Sequence, residues 1–106
     1  MKTKPVVTRH RADEDVDLAF EHYLTEAGPD LAEAFIDEYE RCVSHLSRFP
    51  LSGSPRLEHT LAISGIRHWG LRRFPFLIIY VDTDYAVEIL RVLHAQTDIP
   101  THLRDE

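Results

Sequence analysis

A chain of 106 residues with a net charge of −6 is long enough to bury one hydrophobic core and short for two, so one domain over 1–106 is expected. Its single cysteine, Cys42, excludes an internal disulfide and fits a reducing compartment, which makes the cytoplasm the expected location. No run of about 18 apolar residues occurs, which excludes a membrane helix, and no apolar segment follows Lys2 and Lys4, so no secretory leader is expected.

Val6 to Arg9 is short and β-branched and predicts an opening strand. From about Ala12 the pattern turns helical: Val16, Ala19, Phe20, Tyr23, Leu24 and Ala27 form one continuous stripe. Gly28 should stop that helix and Pro29 begin the next, giving an antiparallel helical pair. The second helix is predicted from about Pro29 to Phe49, with Leu31, Phe35, Tyr39, Cys42, Leu46 and Phe49 as its seam and Pro50 as its end. Arg41, His45 and Arg48 lie toward its C-terminus, where the helix dipole favours cations. Leu51 to Ser64 reads as a loop. Strands are predicted at Ile66–Leu71, Phe74–Asp82 and Tyr85–His94, joined by short turns into a meander. Arg72 and Arg73 occupy the first of those turns. The helical pair should cover the apolar face of this sheet, and the tail from Ala95 to Glu106 should fray or form a single turn. The expected class is α+β: β-α-α-β-β-β, a helical hairpin on a small, mainly antiparallel sheet.

Charge is unevenly spread. Residues 13 to 40 hold eleven acids and neither lysine nor arginine, whereas residues 63 to 81 hold Arg67, His68, Arg72 and Arg73 and no acid. An acidic chain is repelled on average by nucleic acid, although a basic strip can still take a phosphate or an acidic partner. The seven histidines show neither His-x-x-x-His spacing nor a Cys/His cluster, so no metal is expected. Four scattered glycines build no phosphate loop, and no cofactor is expected. Cys42 falls on the buried seam of a helix, where a thiol behaves as a small hydrophobe.

Cleaving RNA through its own 2′-hydroxyl needs a base, an acid and a cation for the charged phosphorane. Arg67, Arg72, Arg73, Arg91 and His94 could supply the acid and the cation. Composition alone favours a structural part for two of them. Arg91 would then pair with an acid such as Glu88 or with carbonyls, and His94 would bond the turn that follows it. Trp69, the only tryptophan, sits among cations and reads either as core or as a contact residue.

Several stretches together resemble the ParE toxins of the RelE/ParE superfamily, the toxic half of bacterial type II toxin–antitoxin pairs. They are the acidic first helix ending at Gly28, Ala34-Phe35-Ile36, Phe49-Pro50 with Gly53, and Gly65-Ile66-Arg67. Two runs, Phe74-Pro75-Phe76-Leu77-Ile78-Ile79-Tyr80 and Ile89-Leu90-Arg91-Val92-Leu93-His94, carry most of the likeness. RelE-type members are ribosome-dependent messenger-RNA endonucleases, whereas characterised ParE-type toxins act on DNA gyrase. RelE-like nucleases carry an arginine three residues before the tyrosine that matches Tyr80, and here that position is Leu77. They also use a lysine-rich surface, and no lysine follows Lys4. His94 matches a position used by some nuclease members.

The resemblance therefore implies a non-enzymatic toxin that binds and poisons DNA gyrase. A cognate ParD-like antitoxin would neutralise it by wrapping a flexible C-terminal segment around it, and DNA would be reached only through that antitoxin. Arg67, Trp69, Arg72, Arg73, Arg91 and His94 are the expected target-binding residues, with no catalytic, cofactor or metal residue among them. The alternatives are a messenger-RNA interferase with a rearranged site and an inactive module that only binds its partner.

Overall fold

Gly28 lies between two long helices, α1 (His10–Ala27) and α2 (Pro29–Arg48), in a computed structural model that describes residues 3–104. Met1, Lys2, Asp105 and Glu106 lie outside the described residues, and with them one of the two N-terminal lysines and the end of the expected fraying tail. At φ 91° and ψ 174° Gly28 adopts backbone that a side chain disfavours. Its N–H closes α1 on Leu24 O and its carbonyl accepts the first bond of α2 from Ala32 N–H. The helical hairpin turns on one residue.

The strands are β1 (Val6–Thr8), β2 (Ile66–Gly70), β3 (Phe76–Asp82) and β4 (Val87–His94). They form one sheet in the order β1-β4-β3-β2. β1 runs parallel to β4 and the other pairs are antiparallel, so the expected α+β architecture with a mainly antiparallel sheet is present. β3 starts two residues later than expected because Pro75 has no N–H to give to a ladder. β4 starts at Val87 because Thr83 ties down the turn: its Oγ1 accepts from Tyr85 N–H and Ala86 N–H and donates to Ala86 O.

The sheet is apolar on both faces, where only one was expected. On one, Ile78, Tyr80, Val87, Ile89 and Val92 pack on Ala12, Cys42 and Leu46 of the long helices. An aromatic corner extends this layer, with Phe35 set 5.5 Å from both Phe74 and Phe76. On the other, Ile66, Ile79, Leu90 and Leu93 are covered by Leu57 and Leu61 of α3 (Leu57–Leu61) and by Ile99 and Leu103 of α4 (Ile99–Arg104). The stretch read as a loop thus holds a helix, and most of the described tail is one. A bulge makes the two-sidedness work. Ile79 pairs with Arg91 and Tyr80 with Ile89, which leaves Leu90 as the extra residue on β4. Ile89 and Val92 then face the helical layer, while Leu90 and Leu93 face α3 and α4.

Candidate functional site

Alternation along β2 sends Ile66 into the second core and turns Trp69 toward the C-terminal half of α2 and Arg67 toward the loop that follows it. There Trp69 stacks on His45, ring centroids 4.7 Å apart and planes 21° from parallel. His45 lies in turn 5.2 Å from Phe49, and the Arg48 guanidinium stands 5.6 Å from the Phe49 ring. The result is a ladder, Trp69–His45–Phe49, with a cation at its outer end. Ser52 Oγ donates to Phe49 O, so it accepts from His45 Nε2–H and holds the imidazole against the indole. The Trp69 N–H is buried with no hydrogen bond of good geometry; it acts on the Cys42 thiol only weakly. Arg41, Ser44, His45 and Arg48 line a hollow of about 250 Å³ beside the ladder.

The loop under the ladder is rigidly tied. Arg67 Nη1 donates to Leu51 O at 3.1 Å and to Gly53 O at 2.8 Å. Tyr80, fully buried, accepts from Gly53 N–H at 2.9 Å and donates to Pro50 O at 2.8 Å. A Cβ on Gly53 would collide with the Tyr80 hydroxyl and lie 2.9 Å from His68 O, so only glycine fits there. Leu51, 66% exposed, and Phe49, 38% exposed, stand on the outside of this loop. Burial, with a smaller push from Arg56, lowers the His68 imidazole below its ordinary value.

Arg72 and Arg73 are exposed on the β2–β3 turn, as expected. Arg73 holds φ 71° and lays its guanidinium 5.6 Å from the Phe74 ring. Arg91 is different: it is only 5% exposed and sits in a bidentate pair with Asp15 of α1, Nε–Oδ2 2.7 Å and Nη2–Oδ1 2.9 Å. Its Nη1 reaches His102 O of α4. The acid partner is thus Asp15, not Glu88, which bonds Arg9 instead. Asp15 Oδ2 also accepts Val92 N–H at 2.9 Å. β1 ends opposite Ile89, so Asp15 takes the place of the missing strand. His94 is half-buried at the end of β4, edge-on to Phe76 at 5.4 Å, with Nδ1 accepting Gln96 N–H from the following turn.

The six expected residues therefore fall into three groups: Arg67 with Trp69, the Arg72–Arg73 turn, and Arg91 with His94 on β4. His45, Arg48 and Phe49 join the first group, and sequence reasoning passed over them. Their positions on α2 are visible in the sequence, but there His45 and Arg48 read as a match to the helix dipole and Phe49 as the end of the apolar seam. Leu77 packs in the second core, and the Tyr80 hydroxyl is committed to the loop. Among the described residues no group of His, Cys, Asp or Glu could hold a metal ion, and no helix is long and apolar enough to cross a membrane.

The architecture gives the class first: an α+β fold shared with a chain of the solved "Chromosomal ParDE TA system from P. aeruginosa", at a TM-score of 0.72 and 22% identity, covering 87% of this chain and 96% of that one. A comparison with curated protein sequences finds no match. The family model described as "ParE toxin of type II toxin-antitoxin system, parDE" matches residues 6–99. The chain belongs to the ParE toxin family of type II toxin–antitoxin systems.

Proposed function

We propose that this toxin acts in the cytoplasm by gripping another macromolecule, with DNA gyrase as the target, and that it breaks no bond itself. The observation that carries the reading is the Trp69–His45–Phe49 ladder flanked by Arg67 and Arg48. Aromatic side chains and arginine held rigidly at a surface are the usual anchors of protein–protein binding. Arg72 and Arg73 extend the contact along the neighbouring turn, with His94 farther off on β4. Arg91 contributes by holding β4 and α1 in register.

Cleavage of RNA finds less support. The position where RelE-like nucleases place a cation is Leu77 on the far face of the sheet. The Tyr80 hydroxyl already has two partners. Without a cation the phosphorane loses several kcal/mol of stabilisation, about 3–4 for a single lost donor. A cognate ParD-like antitoxin neutralises the toxin and supplies contact with operator DNA.

The test is expression with and without the adjacent gene, followed by supercoiling and cleavage-complex assays on purified gyrase. Growth inhibition that Trp69→Ala and Arg48→Ala relieve, with both variants folded, is the expected result. Transcripts cut on translating ribosomes by the pure protein would overturn the reading in favour of an interferase. A harmless chain that still binds its antitoxin would point to an inactive module.

A further inference from the structure

We propose that Glu38 of α2 is a positioning residue that holds the β2–β3 turn so that Arg72 and Arg73 are presented as a fixed pair; the functional part of this inference rests on the turn belonging to the target-gripping surface. Glu38 Oε2 accepts the Arg72 backbone N–H at 2.6 Å, from a residue 34 positions away in the chain. Arg41 closes on the same carboxylate with Nε at 2.7 Å and Nη2 at 2.8 Å, and the Cys42 thiol donates to it at 3.4 Å. Four donors from two elements thus converge on one side chain that is only 13% exposed. An ordinary surface ion pair one helical turn long needs no backbone N–H from another element. This one has such an N–H.

The turn offers little to hold itself in place. Leu71 N–H bonds Phe76 O and Phe76 N–H bonds Phe74 O, while among the described residues Arg72 N–H has no acceptor but Glu38. Arg73, next along, holds φ 71°, a left-handed conformation that a side chain enters only when its surroundings dictate it. Charge-assisted bonds to a carboxylate are shorter and roughly twice as strong as neutral ones. The Arg41 guanidinium first of all, with help from Arg72 N–H, holds the Glu38 carboxyl down to about 2. Arg41 also cancels the charge of Glu38 locally, so the clamp leaves both guanidiniums of the turn unneutralised. A partner then meets the two cations on a backbone already ordered, which lowers the entropy cost of fixing a loose loop.

The experiment measures amide hydrogen exchange and the amide proton shift of Arg72 in the full chain and in its Glu38→Gln and Glu38→Ala variants. Glu38→Ala should speed Arg72 exchange on the order of tenfold or more, with other β2 and β3 amides unchanged. Glu38→Gln, which keeps an acceptor oxygen, should fall between. In the unaltered chain the Arg72 amide shift should move with acid titration of Glu38, and in Glu38→Gln that movement should vanish. Equal exchange in all three proteins, or an Arg72 shift indifferent to Glu38, overturns the inference. Growth inhibition separates the two layers of the argument. If Glu38→Ala loses as much toxicity as Arg72→Ala/Arg73→Ala, and the triple variant loses no more, Glu38 acts through the turn. If the Arg72 amide loosens while toxicity is unchanged, Glu38 still positions the turn, and it is the turn's place in the target surface that fails.

Discussion

Asp15 satisfies two needs with one carboxylate: the buried Arg91 guanidinium and the Val92 N–H that β1 is too short to reach. Asp15→Ala removes the bidentate carboxylate of a buried ion pair and the acceptor of a backbone N–H together, so it should cost roughly 3–5 kcal/mol in denaturant unfolding. Replacing both by apolar residues, as in Asp15→Leu with Arg91→Met, should recover much of that loss, because two charges then need no longer be desolvated. A single substitution costing under about 1 kcal/mol would place the pair outside the core. The consequence for function is direct: lost toxicity in Arg91→Ala says nothing about contact unless stability is measured beside it. Glu38 adds a pH dependence. Arg41 and, less, Arg72 N–H lower its folded value to about 2 from an ordinary 4.5, so the clamp contributes fully above 4.5 and is lost as pH falls through about 2. Unfolding free energy should fall across that window, and Glu38→Gln should flatten the fall. Burial raises the Cys42 thiol to about 11, so alkylating reagents should react with the folded chain slowly and with the unfolded chain fast.

At the scale of elements, α3 is five residues long and ends on Ala62 at φ 54°, a left-handed cap normally given to glycine. Ala62→Gly should therefore raise stability by roughly 0.5–1 kcal/mol, read as a shift in thermal midpoint. Gly53 is the opposite case: Gly53→Ala pushes a Cβ into the Tyr80 hydroxyl and the His68 carbonyl and should cost about 1–3 kcal/mol. The two long helices were legible because a stripe sustained over several turns has one interpretation, and Gly28 followed by Pro29 marks their junction. The strands were legible from β-branched runs bounded by turns. α3 and α4 were not, because five or six residues carry too little periodicity to separate helix from loop. The need for them was nevertheless written in β4, where Leu90 and Leu93 sit among Ile89 and Val92 with no polar face left over. Trp69 reads in the sequence as core or contact residue, and the structure leaves it partly buried against the first core and stacked on His45. Its stacking partner His45 comes from another element, and no local pattern announces a contact across the fold.

Taken whole, the molecule separates much of its charge: residues 13–40 carry eleven of the eighteen acids, and the C-terminal half of α2 with β2 and its turn carries Arg48, Arg67, Arg72 and Arg73, with Arg41 paired to Glu38. The net charge of −6 hides this. Exposed charges interact over about 8–10 Å at ordinary ionic strength, so an approaching surface meets one face and not the sum. If the basic–aromatic face is the contact, binding to the target should weaken as salt is raised even though the toxin as a whole is acidic. Arg48→Ala should reduce affinity on the order of tenfold and make the remaining binding less sensitive to salt. Asp13→Asn with Asp17→Asn, which removes exposed acids from α1, should change affinity by less than about threefold at the same ionic strength. Titration of purified gyrase with each variant at two salt concentrations decides it. The reverse ranking, with the α1 pair dominant and Arg48 neutral, would move the contact to the helical face and leave the Trp69 ladder as structure alone.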